Sequence, residues 1–346
     1  MNDTKSIDWL EILETIQKFA TSGAARQTLA ELRPLPNETL AIRSVDEIFS
    51  AQELIHQGHR PSLASLDLFE PWHSRLRRKA VLKNLELKDV RNFCLEALAL
   101  SEALRPLPSA WAKQALEQLM DASEPLSAID QILTPGGEIR SDASETLFRL
   151  FKEKENLSRQ VQSHLDRLVK AHEMEANLQD RFVTTREGRW VLPIRSGMQH
   201  FVPGVIHGSS QTKQTVFMEP EVVVPLNNRL RQVEVEIEDE IEHLLTELSN
   251  YLATLCEPFT QARTLMQQMD CTLAKAQWNE LMQGQRFEFS QAELDLRVLA
   301  HPLMQIAIKK PIQNHVHLDT EKSILLLSGP NAGGKTVLLK AVGLAA

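Results

Sequence analysis

Apolar residues return at three- and four-residue steps through the first third of the chain. Trp9, Leu10, Ile12, Leu13, Ile16 and Phe19 form one stripe, and Val90, Phe93, Cys94, Ala97, Leu98 and Leu104 form another. This period lays apolar side chains along one face of an α-helix. Breaks are expected at Pro34 and Pro36, at residues 58–61, at Pro106 and Pro108, and at Pro125. Residues 1–135 read as a helical core. The basic run Arg75, Arg77, Arg78, Lys79 within it reads first as a solvated helix face and second as a phosphate contact.

Beyond Gly136 and Gly137 the stripes lengthen. Leu147, Leu150, Phe151, Leu157, Val161, Leu165 and Leu168 mark one long helix. Leu230, Val233, Ile237, Ile241, Leu244, Leu248, Leu252 and Leu255 mark a second. Each stripe needs a partner to bury it, so an antiparallel coiled-coil lever is predicted, with a generic bundle as the alternative. The lever leaves over residues 136–180 and returns over 229–290, its paired helices spanning about 145–180 and 229–256. Between them, residues 181–228 carry β-type runs at 182–185, 190–194, 215–218 and 222–224. Glu187 and Gly188 suit a hairpin turn, and Gly197, Gly204 and Gly208 suit loops. A small β-rich module is thus expected at the lever's far end. Further on, residues 306–308 and 323–327 read as strands, the second of the buried type.

Charge separates the module from its arm. Residues 181–231 hold seven basic side chains (Arg181, Arg186, Arg189, Arg195, Lys213, Arg229, Arg231) against three acidic ones, a net of +4. Residues 232–249 hold seven acids and no Lys or Arg. A basic tip on an acidic arm would confine polyanion binding to one place; chance clustering of surface charge is the plainer account. Arg181, Arg186, Arg189, Arg195 and Lys213 are the candidate phosphate contacts. Trp190 could stack on a base, but its alternation with Val191 and Ile194 favours core packing.

The remaining composition is ordinary: 346 residues, 42% hydrophobic, 24% charged, net charge −8, enough for two or three domains. Cys94, Cys256 and Cys271 are widely spaced and suit reduced thiols in a reducing cytosol. No signal peptide and no apolar run of about 20 residues is present, so a soluble cytoplasmic protein without membrane partners is expected.

Gly329, Pro330, Asn331, Ala332, Gly333, Gly334, Lys335 and Thr336 fit G-x-x-x-x-G-K-[ST] at every fixed position. An apolar run precedes them and a helical pattern at 337–342 follows, the context a phosphate-binding loop requires. The glycines let successive N–H groups curl toward phosphate, and the helix N-terminus adds positive potential. Lys335 would reach the terminal phosphates of ATP and the Thr336 hydroxyl would hold Mg2+.

Gly-Pro-Asn-x-Gly-Gly-Lys-Thr resembles the loop of the MutS ATPases. The resemblance extends through residues 137–144, 181–194, 203–210, 217–220 and 224–228, and through His301-Pro302-Leu303. It is greatest to the type-two branch, which lacks a mismatch-reading domain. It implies a mainly α fold: helical core, lever, β-rich clamp, returning lever and, over residues 291–346, the start of an α/β P-loop ATPase domain. It also implies ATP-dependent binding of branched or recombining DNA that limits recombination, by a homodimer. An equally implied role is as a ribosome-associated ATPase acting on stalled or collided ribosomes. An inactive structural fragment is a third reading. His301 matches the family's His-Pro beside the nucleotide, though a structural role suits it better. The sequence stops ten residues after Thr336. The family's acidic metal-binding strand, signature loop and C-terminal nuclease domain do not occur within it. No catalytic residue is therefore expected in this chain, which should bind nucleotide weakly and not hydrolyse it.

Overall fold

The computed structural model describes residues 7–290, 292–308, 311–330 and 334–345. The chain is mainly helical. In order, the elements are α1 (Trp9–Gln17), α2 (Gly23–Ala30), α3 (Glu38–His56), α4 (Phe69–Arg77), α5 (Asn84–Leu104), α6 (Ala110–Gln118), α7 (Ser123–Ile132) and α8 (Glu145–Lys170). Strands β1 (Thr184–Arg186), β2 (Arg189–Arg195), β3 (Gly204–Ser209) and β4 (Thr215–Pro220) follow. Then come α9 (Val224–Thr254), α10 (Cys256–Leu281), β5 (Leu294–Leu299), α11 (Pro302–Ala307), β6 (Asn314–Leu318) and α12 (Lys335–Ala345). Among the described residues, no helix is long and apolar enough to cross a membrane. The three cysteines are unbridged, and burial pushes the Cys271 thiol up to about 11.

The chain divides into two compact units. The first comprises Met1–Arg78, Asp89–Leu126 and Ala253–Ala346. Its spine is α10, which packs against α1, α2, α3, α4 and α6. Phe69, Trp72, Phe93 and Phe259 are fully or almost fully buried, and their rings meet at centroid distances of 4.5–5.8 Å. Side-chain caps start the helices where the backbone leaves free N–H groups: Ser22 for α2, Asn37 for α3 and Ser109 for α6. Asp270 on α10 is fully buried yet satisfied. Its carboxylate accepts from Thr21, Ser22 and Arg60, the last at 2.8 Å, and so ties the α1–α2 turn to the spine.

The second unit comprises Lys79–Lys88 and Ser127–Leu252. A tight turn with Gly137 at φ +90° leads into α8, whose N-cap Ser144 accepts from the Leu147 N–H. The antiparallel pairing of the two long helices is visible in their contacts. Ser144 Oγ meets Glu240 at 2.7 Å, Leu147 and Leu150 share a core with Val233 and Ile237, and Arg229 pairs with Glu153 at 2.7 Å. As numbers rise on α8 they fall on α9. A four-stranded antiparallel sheet in the order β1-β2-β4-β3 follows α8. Leu192, Ile194 and Met218 of its inner face pack with Val161 and Leu165 of α8.

Several expectations need correction. Pro125 sits in the first turn of α7 instead of breaking a helix, a place where a missing N–H costs nothing. Residues 222–224 are not a strand; Glu221–Val223 make a short 3-10 turn and α9 begins at Val224. Gly204 and Gly208 lie in β3, not in loops. A Cβ on Gly204 would stand 2.2 Å from the Glu219 carbonyl oxygen, so close strand approach is what demands glycine there. Residues 306–308 are not a strand: Pro302 opens α11, and Leu303 packs into the cluster of Ile12, Leu13 and Ile16. The run at 323–327 is also not a strand. Ile324 and Leu326 are 84% and 86% exposed, because a strand apolar on both faces needs neighbours on each side.

Candidate functional site

The phosphate-loop candidate lies in the first unit. Gly329 and Gly334 have φ of +145° and +77°, conformations that a side chain would strain, with open space where a Cβ would point. Asn331, Ala332 and Gly333 fall outside the described residues; Pro330 is exposed. Lys335 and Thr336 occupy the first turn of α12, where N–H groups have no acceptor within the helix. The Lys335 ammonium donates back to the Gly329 carbonyl, so it reaches across the mouth of the loop. Beside it is a cavity of about 370 Å³ lined by His301, Met304, Ile312, Asn314, Ser328 and Lys335 among others, within the range of small-molecule sites. The glycine conformations, the inward-reaching ammonium and the free helix N-terminus all suit a bound triphosphate.

His301 caps this region from behind. It is 4% exposed, and among the described residues its Nε2 has no hydrogen-bond partner; the Asp8 carboxylate stands 3.6 Å away. Asp8 pairs with Lys340 of α12 at 2.5 Å. Burial holds the His301 imidazole below its ordinary pKa; Asp8 opposes this shift and Lys340 reinforces it.

The second unit carries the basic candidates. Arg181 is exposed and paired with Glu175. Arg186 lies 4.1 Å over the Phe217 ring and is otherwise solvent-facing. Arg195 donates through Nε to the Leu178 carbonyl at 2.9 Å, and Lys213 is exposed in the β3–β4 turn at φ +56°. Arg189 behaves differently. Its guanidinium donates to both oxygens of Glu219, at 2.9 and 3.1 Å, and to Asn228 at 2.7 Å. Glu219 is 1% exposed and also meets His207 Nε2 at 2.6 Å and Asn227 Nδ2 at 2.8 Å. Asn227 closes the circuit on the Trp190 backbone, and Trp190 packs against the sheet core. Arg186, Arg195 and Lys213 thus form the solvent-facing basic set, while Arg189 serves the interior.

No protein-family model matches the chain. It is 33% identical over 344 residues to the endonuclease MutS2 of Thermus thermophilus, covering 98% of this chain and 44% of that protein. To the endonuclease MutS2 of Agathobacter rectalis it is 28% identical over 348 residues, 98% of this chain and 43% of that protein. To that of Halothermothrix orenii it is 25% identical over 349 residues, 98% and 44% of the two chains. The similarity supports a MutS2-like chain. It spans less than half the length of these curated relatives.

The circuit of Arg189, Glu219, His207 and Asn227 was the part hidden from sequence reading. Its members are scattered over β2, β4, β3 and α9. The available signal was a lone acid in a buried strand pattern, Val-Phe-Met-Glu-Pro, which demands a cation nearby.

Proposed function

We propose that this chain holds ATP with Mg2+ at residues 329–336 and a nucleic acid on the β-rich module, as part of a MutS-type DNA-binding ATPase. Lys335 would neutralise the terminal phosphates, the backbone N–H groups of the loop and of α12's first turn would bind their oxygens, and the Thr336 hydroxyl would hold the metal. A bound magnesium ion would supply further charge neutralisation. The observation that carries this reading is the Lys335 ammonium poised against the Gly329 carbonyl at the N-terminus of α12. On the module, Arg186, Arg195 and Lys213 contact the sugar-phosphate backbone without reading sequence. We infer that the polyanion is branched or recombining DNA held by a homodimer, as the resemblance of the loop and of the module to type-two MutS proteins implies.

Two measurements test it. Fluorescent ATP analogue should bind the chain, and Lys335→Ala should abolish that binding. In filter binding, branched DNA should be retained more tightly than duplex DNA or ribosomes. Preferential retention of ribosomes would replace DNA as the target, and retention of none would remove the polyanion site.

A further inference from the structure

A polar cleft in the first unit takes no part in the sites described above. It holds about 430 Å³ and is framed by α2, α3, α6 and α10, a volume within the range of small-molecule sites. α10 packs against the other three helices, and α3 against α6. The lining follows the helix repeat. Trp111, Gln114 and Gln118 stand three and four residues apart on α6, Gln268 and Lys275 two turns apart on α10, and Arg43 and Glu47 one turn apart on α3. Stripes that face a neighbouring helix are ordinarily apolar. Here they carry amides, charges and an indole, and they border a cleft where apolar stripes would close a dry seam.

The charges in the cleft do not cancel. Arg43 pairs with Glu47 at 3.0 Å and also donates to Gln114 Oε1 at 2.9 Å. Lys275 is half-buried and, among the described residues, has no ion-pair or hydrogen-bond partner. Two cations against one acid leave the lining positive, in a chain whose net charge is −8. A partly desolvated ammonium without a counter-ion favours an anionic ligand. The amides of Gln118 and Gln268 and the Trp111 indole N–H are likewise unengaged among the described residues. Each amide offers both donors and an acceptor, which a nucleobase edge can match, and an indole face can stack on a base. Cys271 also lines the cleft. Burial pushes its thiol up to about 11 and it donates to the Ala25 carbonyl, so it supplies no thiolate and the site is one for binding. We propose that this cleft binds a nucleoside monophosphate, with its base stacked on Trp111, the base edge met by the glutamine amides, and its phosphate held by Lys275 in the field of Arg43. None of the lining residues belongs to the cavity beside Lys335, so the inference does not rest on the reading of residues 329–336.

Equilibrium dialysis of the full chain against labelled guanosine monophosphate tests it, in a Lys335→Ala background so that the phosphate loop contributes nothing. One molecule should bind per chain and raise the melting temperature, because it binds the folded state alone. Adding Lys275→Ala should weaken binding about tenfold or more, and Lys275→Arg should retain it, since a charge-assisted contact to phosphate is among the stronger ones. Trp111→Leu should weaken it about tenfold through the lost stacking. Gln118→Glu carries the test if Trp111→Leu disturbs α6: the exposed Gln118 side chain can change without loss of packing, and a second carboxylate cancels the excess positive charge. Guanosine without its phosphate should bind about tenfold more weakly, and inorganic phosphate at equal concentration should not displace the nucleotide. Absence of binding at millimolar nucleotide, an affinity indifferent to Lys275 and Gln118, or displacement by phosphate alone would overturn the proposal.

Discussion

Two residues with similar sequence credentials separate once their neighbours are known. Arg186 and Arg189 both flank the β1–β2 turn, yet one guanidinium lies over a ring at the surface and the other neutralises a carboxylate that is 1% exposed. Removing Arg189 leaves Glu219 with His207 and Asn227 only. Arg189→Ala should therefore destabilise the sheet by about 1–3 kcal/mol, read as a lower midpoint in urea unfolding, whereas Arg186→Ala should shift it little. His301 supplies a second residue-level expectation. Burial depresses its pKa, against the pull of Asp8 and with the push of Lys340. The unfolded chain then binds a proton near pH 6.5 that the folded chain resists. Stability from this group is complete above that pH and declines as pH falls through and below it. The melting temperature should drop between pH 7 and pH 5, and His301→Gln should make that drop shallower. An unchanged pH dependence in the variant would show that His301 is not buried in solution.

At the scale of elements, legibility followed the length of the pattern. The stripes of α8 and α9 persist over 26 and 31 residues, and their antiparallel partnership was readable because neither stripe can be buried alone. The β1–β2 turn was readable from Glu187 and Gly188, which take φ of +49° and +77°. β3 was missed because Gly-Val-Ile-His-Gly-Ser looks like a loop until the Glu219 carbonyl explains Gly204. β5 and β6 were missed although Leu-Asp-Leu-Arg-Val-Leu and Asn-His-Val-His-Leu alternate; each is short, and α11 intervenes between them. The apolar run at 323–327 misled in the other direction, since composition alone cannot supply flanking strands. The basic module and the α4 arginines can be ranked by one experiment. Arg186→Glu with Lys213→Glu should weaken DNA binding strongly and flatten the log–log salt dependence by about one unit per lost contact. Reversing Arg75, Arg77 and Arg78 should do less. The opposite ranking would move the polyanion site to the helical core.

For the whole molecule, the question is whether a phosphate cradle amounts to an ATPase. Hydrolysis needs a carboxylate to hold magnesium and a group to orient the attacking water, in addition to the loop and Thr336. The cavity beside Lys335 is lined by apolar residues, His301, Asn314 and Ser328, with no Asp or Glu among them. Asp8, whose carboxylate stands 3.6 Å from His301 Nε2, is paired with Lys340, and burial holds the His301 imidazole below its ordinary pKa. The run before the loop stands exposed at Ile324 and Leu326, and among the described residues no strand flanks it to fix the geometry of the cradle. Phosphate binding by Lys335 and the helix start does not require that sheet, but alignment of a water for in-line attack does. The 346-residue polypeptide should accordingly bind ATP analogue weakly and release no phosphate above background. Phosphate release that vanishes in Lys335→Ala would contradict this, and would mean that a second copy or a residue elsewhere in the chain brings the missing carboxylate to the loop.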